Sequence, residues 1–262
     1  MDLGLSGRTV LITGASRGIG MATAEVFAEE GCDLVLAARD AAALKGLCER
    51  LHDRHHVNAR AVIADLRDPG QLRHLATEAG EVDIAVNNAG DIPGGTIAMI
   101  DEERWRHAWE LKLFGYVNLT RLIYSSMKAN GRGVIINNIG IAGERMDAAY
   151  IAGCAGNAAL YALTRALGGA SLADGVRVVG VSPGPVATDR FTALMRTAAE
   201  QRLGDADRHG ELIAALPAGR AAHPREIADL IAFLASDRSA YTSGTIFAVD
   251  GGLSASAATP RQ

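Results

Sequence analysis

The sequence predicts an α/β protein: a doubly wound, seven-stranded parallel sheet with helices on both faces. Three observations carry this. Seven short runs rich in β-branched and apolar residues recur along the chain. Each run is almost wholly apolar, as in strands covered on both faces. Between successive runs there is enough chain for a crossover helix, the connection that parallel strands require.

In order, the first run is Thr9–Ile12, followed by a glycine-rich turn and a helix that stops before Gly31. Leu34–Ala37, Ala61–Ile63 and Ile84–Val86 are the next three strands. Asp101–Ala129 reads as one long helix: Asp101 caps its start, Glu102 and Glu103 suit its positive end, and Gly131 follows its stop. Val134–Ile136 is the fifth strand, and a second long helix spans about 148–172, with Gly175 closing the turn. Val176–Val181 and Ile246–Val249 complete the sheet. No linker, repeat or low-complexity segment divides 1–262, so the chain reads as a single domain. Only Arg190–Leu216 breaks the rhythm; polar and helical, it reads as a lid over a site or as a surface excursion.

With 48% hydrophobic residues, 30 Gly and 5% aromatics, the composition fits a compact, alanine- and glycine-rich α/β domain. A net charge of −4 with no basic tail argues against nucleic acid or an anionic membrane as partner. Cys32, Cys48 and Cys154 are too scattered for a disulfide framework. MDLGLSGRTVLITG lacks a basic-then-apolar leader, and no apolar run is long enough to span a bilayer, so the expected location is the cytoplasm.

The first strand runs into Thr13-Gly14-Ala15-Ser16-Arg17-Gly18-Ile19-Gly20 and then a helix. Glycines at such a turn let the backbone approach a diphosphate, whose charge meets the free N–H groups at the helix start. Asp65-Leu66 follows strand three, Asn87-Asn88-Ala89-Gly90 strand four, and Pro183-Gly184-Pro185-Val186-Ala187-Thr188 strand six. Together with the ending SGTIFAVDGG, these segments resemble the short-chain dehydrogenase/reductase family over residues 5–253.

That resemblance implies a Rossmann-type fold and a nicotinamide cofactor. It implies that Gly14, Ser16, Arg17, Gly18, Ile19 and Gly20 cradle the cofactor, with Asp65 and Leu66 at its adenine and Asn88, Ala89 and Gly90 along its adenosine side. Pro183, Gly184, Val186 and Thr188 would meet the nicotinamide, and Tyr150 would stand beside it. It also implies a homo-oligomer, dimer or tetramer, built through the two long helices. Charge selects the cofactor. At the end of strand two, where a carboxylate would bond a ribose 2′-hydroxyl, the chain has Ala38, then Arg39, with Arg17 in the glycine loop. Two guanidinium groups fit a 2′-phosphate, favouring NADP(H) over NAD(H).

At the reacting end the family's Ser, Tyr-x-x-x-Lys and Asn are matched unevenly. Tyr150 is kept. The lysine four residues later is Cys154, the serine is Gly140, and the asparagine seven residues after Trp105 is Lys112. A cation beside tyrosine lowers its pKa from about 10; without one, only about one tyrosine in a thousand is ionised at pH 7. Lys112 offers a relocated cation, reaching into the space left by the lysine; the alternative is an ordinary helix-surface lysine. Tyr124-Ser-Ser-Met-Lys128 satisfies the Tyr-x-x-x-Lys pattern and Tyr161-Ala-Leu-Thr-Arg165 comes near it, but both are expected away from the carboxyl edge of the sheet, as packing and surface residues.

Cys154 reads as a small buried residue filling the vacancy in preference to a nucleophile. His52, His55 and His56 lack ligand spacing, and no metal is expected. Asp91, Asn138, Glu144, Arg145 and Asp147 border the expected cleft, as hydrogen-bonding groups or as plain loop residues. The leading expectation is NADP(H)-dependent oxidoreduction of a carbonyl/alcohol pair on a small or medium organic molecule, with Tyr150 as proton donor and Lys112 as its cation. The alternatives are a nucleotide-binding relative without dehydrogenase activity, acting as sensor or scaffold, and a reaction that does not turn over the nicotinamide.

Overall fold

The computed structural model describes residues 2–256. Seven strands, β1 (Thr9–Thr13), β2 (Asp33–Ala38), β3 (Ala59–Ile63), β4 (Ile84–Asn87), β5 (Gly133–Asn138), β6 (Val176–Pro183) and β7 (Ile246–Val249), form one parallel sheet in the order β3-β2-β1-β4-β5-β6-β7. Each expected strand is present, extended by a residue or two where the run was clipped at a polar end. The direction of strand succession reverses between β1 and β4, which opens a crevice at the carboxyl edge of the sheet.

Alternate residues of each strand feed opposite layers. On β1, Val10 and Ile12 pack with Phe27 of α1 (Gly18–Glu29), Leu44 of α2 (Ala41–His55) and Ile231 of α9 (Pro224–Ala235). Leu11 faces the other way, with Leu75 of α3 (Pro69–Ala79) and Leu119 and Ile123 of α5 (Gly115–Ala129). Asp40, Asp68 and Asp101 cap α2, α3 and α4 (Glu102–Trp109) through side-chain oxygens. No helix among the described residues is long and apolar enough to cross a membrane.

Two helix expectations are corrected. The stretch 101–129 is continuous, but α4 passes into α5 through a π-helical turn, Glu110–Phe114. The second long helix, α6, is Ile151–Ser171 and starts later than residue 148. Its expected first residues are claimed elsewhere: Ala149 N donates to Asp147 Oδ1 at 2.9 Å, and Ala149 O accepts from Gly95 N at 2.7 Å. Tyr150 is therefore the residue before the first turn, with φ −136°. The segment after β6 is helical as expected, forming α7 (Asp189–Leu203) and the short α8 (His209–Ala214).

Arg177 ties the far end of the sheet to α9. Buried in β6, it donates to the carbonyls of Leu234 (2.7 Å), Ala235 (3.1 Å) and Ser236 (2.9 Å), which close the helix without an intrahelical partner. Arg177→Met is expected to cost at least about 2 kcal/mol by stranding the Leu234 and Ala235 carbonyls, Ser236 O keeping Ser239 N at 3.1 Å, read as a lower Tm. Arg177→Lys should recover only part, because one ammonium cannot span all three.

Candidate active site

The crevice is assembled from strand ends. Asn88, just past β4, is its fastener: Nδ2 donates to Thr13 O (2.9 Å) and Gly14 O (3.3 Å), while Oδ1 accepts from Asn138 Nδ2 (2.8 Å). The backbone N–H groups of Asn88 and Ala89 both donate to Thr13 Oγ1, at 2.9 and 3.1 Å. The Asn88 side chain is thus consumed within the protein and acts on a ligand through loop shape. Gly14 and Gly20 permit the turn: a Cβ on Gly20 would lie 2.2 Å from Gly14 O, and one on Gly14 2.9 Å from Ala89 Cα.

The residues present fit a dinucleotide. Unlike α2, α3 and α4, helix α1 has no capping side chain, so its first N–H groups, from Gly18, Ile19 and Gly20, are left for an anion. Ser16 is half-buried in the same turn. Arg17, the residue before α1, and Arg39, the residue after β2, are exposed. Asp65 is already engaged by Arg67, whose Nη2 donates at 2.6 Å and Nε at 2.9 and 3.1 Å. Partial burial opposes the Asp65 charge, but the Arg67 hydrogen bonds and the charges of Arg67 and Arg39 outweigh it and hold the carboxyl below its ordinary pKa. Arg67 also contacts His107 of α4. Leu66 is buried beneath.

Opposite, Gly184 N donates to Val249 O at 3.0 Å, fixing the turn after Pro183. Val186 is buried and pairs with Ala222, and Thr188 caps α7 through Oγ1, which accepts from Phe191 N at 3.2 Å. A Cβ on Gly18 would lie 3.2 Å from Thr188 Cγ2, so the two walls of the crevice nearly touch there.

Lys112 lies in the π turn, and its side chain runs inward. A Cβ on Gly90 would meet its Cδ at 2.8 Å, and Nζ donates to Ile139 O at 2.7 Å. Nζ also stands 5.7 Å above the ring of Tyr116, whose hydroxyl donates to Asn138 O at 2.9 Å. Burial, with the Arg190 charge in range, brings the Lys112 ammonium down to about 7. Tyr150 packs with Ile92, Ile100, Trp105 and Ala152. Its ring lies across the first turn of α6 where only glycine fits, since a Cβ on Gly153 would fall 2.0 Å from Cε1. Burial raises the Tyr150 pKa, and Arg190 beside the hydroxyl pulls it part of the way back.

The cation that meets Tyr150 in this way is Arg190, which sequence reasoning missed; Lys112 is held by the β5-end carbonyls. Cys154 brings no cation to the tyrosine. Its Sγ accepts from Asp147 N at 3.2 Å and turns toward the loop before α6. The available signal for Arg190 was a basic residue two places after Thr188, at the start of the suspected lid.

Gly140, at the serine position, has φ +121°, a conformation that L side chains rarely adopt, and its carbonyl accepts from Asn157 Nδ2 at 3.3 Å. Tyr124 and Lys128 are tied to Asp174, far from the crevice. Tyr161 is buried, as expected of a packing residue, but it reaches nearer the carboxyl edge than its helix position suggests: its hydroxyl pairs with Ser182, next to the end of β6. Among the described residues, no group of three or more His, Cys, Asp or Glu is arranged to hold a metal.

A family model described as enoyl-(acyl carrier protein) reductase matches residues 14–254. The 3-oxoacyl-[acyl-carrier-protein] reductase of Vibrio cholerae is 32% identical over 255 residues, covering 96% of this chain and 99% of that protein. L-Sorbose reductase from Gluconobacter frateurii, complexed with NADPH and L-sorbose, has a TM-score of 0.91 at 32% identity, covering 98% of this chain and all of that one (100%). A 7α-hydroxysteroid dehydrogenase complexed with NADH and 7-oxo glycochenodeoxycholic acid has a TM-score of 0.86 at 29% identity, covering 96% of each chain. The chain belongs to the short-chain dehydrogenase/reductase family.

Two outcomes follow from this geometry. Gly140→Ser should lower stability by about 1–3 kcal/mol, because the serine inherits a glycine backbone conformation; thermal melts should show a lower Tm, and assays no gain in turnover. The second concerns Lys112. Its folded pKa, about 7, lies below that of the unfolded amine, which titrates near ~10.4. Between these values the unfolded chain binds more protons, so the contribution of Lys112 to stability rises with pH and its burial penalty is full below the window. Denaturant titrations across that range should show a flatter pH dependence for Lys112→Met than for the parent, with the variant's advantage greatest at the acid end.

Proposed function

We propose that the protein reduces the carbonyl of a small or medium organic molecule to an alcohol using NADPH, with Tyr150 as proton donor. The observation that carries this reading is the pairing of an uncapped helix start, behind a glycine turn, with a half-buried tyrosine packed under the loop after β4. When bound, the reduced nicotinamide supplies a hydride to the carbonyl carbon. Tyr150 Oη donates its proton to the carbonyl oxygen, a task for which a neutral phenol is the correct form, so its raised pKa is no obstacle in this direction. Lys112, half-buried and with Nζ between Gly90 and Ile139, contributes positive charge below pH ~7, supporting reduction at neutral or mildly acidic pH. α7 and α8 serve as a lid over the crevice. The relatives act on carbonyl substrates as different as an oxoacyl thioester, a ketose and an oxo-steroid. They support the reaction class while leaving the substrate to be found by screening.

Arg17 and Arg39, without a carboxylate at the end of β2, select the 2′-phosphate. The two long helices pair copies of the chain into a homo-oligomer. Cys32, Cys48 and Cys154 are free thiols, in keeping with a reducing, cytoplasmic setting.

The deciding experiment follows NADPH absorbance with panels of ketoses, oxoacyl thioesters, quinones, aldehydes and oxo-steroids. Turnover is expected with at least one class, falling at least about 100-fold in Tyr150→Phe. No turnover in any panel, with NADPH still bound, would favour the reading as a nucleotide-binding protein without reductase activity. By calorimetry NADPH should bind at least tenfold tighter than NADH, about 1.4 kcal/mol, and Arg39→Ala should erase most of that difference.

A further inference from the structure

Arg190 stands in the first turn of α7, where an arginine is free to extend into water. It does not. Nη1 donates to Gly90 O at 3.0 Å, Nη2 donates to Ile92 O, and Asp91 Oδ1 lies 3.6 Å from Nη1. All three acceptors belong to the loop after β4, so the guanidinium is drawn across the crevice to Ile92, against which Tyr150 packs, and from there it acts on the Tyr150 hydroxyl. The charged and titratable groups bearing on that hydroxyl come from three elements: Arg190 from α7, Asp91 from the β4 loop and Cys154 from α6. Lys112, held by Ile139 O, faces Arg190 and is not among the groups that act on the hydroxyl. The remaining walls, Ile92, Ile100, Trp105 and Ala152, are largely apolar and screen little.

We propose that Arg190 is the electrostatic partner of Tyr150, carried on the lid segment and latched by the carbonyls of Gly90 and Ile92. This rests on reading Tyr150 as the proton donor. As the tyrosine O–H bond breaks and the substrate O–H bond forms, the electron pair stays on the phenolate oxygen. Arg190 faces that charge, and solvent later returns the proton. Because the cation belongs to α7, its presence depends on that helix being docked. A displaced α7 leaves Tyr150 a half-buried phenol without the Arg190 cation.

The test replaces Tyr150 with 3,5-difluorotyrosine, a phenol acidic enough to titrate while the protein stays folded, and follows it by fluorine NMR without cofactor or substrate. Arg190→Gln should raise the titration midpoint by about one pH unit or more, and Arg190→Lys should restore part of the shift. Asp91→Asn, which removes an exposed carboxylate competing for Arg190, should lower it. An unmoved or lowered midpoint in folded Arg190→Gln overturns the proposal. If that variant does not fold, an unmoved or raised midpoint in Asp91→Asn does so instead. The measurement needs no turnover, so a protein that reduces no carbonyl would sink the reductase reading while leaving the Arg190 result to stand by itself.

Discussion

One side-chain amide holds the crevice together. Asn88 binds the backbone of β1's last residue and the first glycine of the turn with its nitrogen, and Asn138 at the end of β5 with its oxygen. Three strand ends are thereby fixed at the point where the sheet reverses its winding. Beneath it, Asn87 Nδ2 donates to Asn137 Oδ1 at 2.9 Å and Asn137 Nδ2 to Thr164 Oγ1 at 2.9 Å, carrying the network from β4 through β5 to α6. In a dry interior such bonds are strong, and costly to leave half-made. The crevice is therefore shaped before any ligand arrives, which reduces the ordering cost of binding.

The two halves of the site differ in how closely they follow the family. In the nucleotide half the glycine turn and the uncapped start of α1 lie at the carboxyl edge of the sheet. In the reacting half, positive charge arrives from a π turn on one side and the first turn of α7 on the other, while the four residues after the tyrosine supply none. Lys112 and Arg190 oppose each other's charge. Burial first, and that opposition second, lower the pKa of the lysine.

The sheet was legible because doubly covered strands leave apolar runs, and the nucleotide turn because its glycines sit between a strand and a helix. Less legible were features made by contacts distant in sequence. The start of α6 is set by Gly95 pairing with Ala149 and Tyr150, which no local propensity encodes. Arg190 meets a carbonyl one hundred residues away. Tyr161 reaches Ser182 across the helix–sheet interface, an approach that helix position alone does not reveal. The Asp65–Arg67 pair was local, two residues apart, and escaped notice only because Asp65 already had a role assigned through the resemblance.

The π turn at Glu110–Phe114 has a mechanical meaning. It places one surplus residue between two α-helical stretches that answer to different partners: Trp109 Nε1 donates to Ala152 O at 3.0 Å, while Leu119 and Ile123 bury against the sheet. Removing that residue would let the α-helix run through unbroken, turning one stretch about 100° against the other. Either the indole would lose its carbonyl or the buried leucine face would swing toward water, and Lys112 would be carried out of the crevice with it. The helix works as a splice between two registers, and the amine occupies the splice itself.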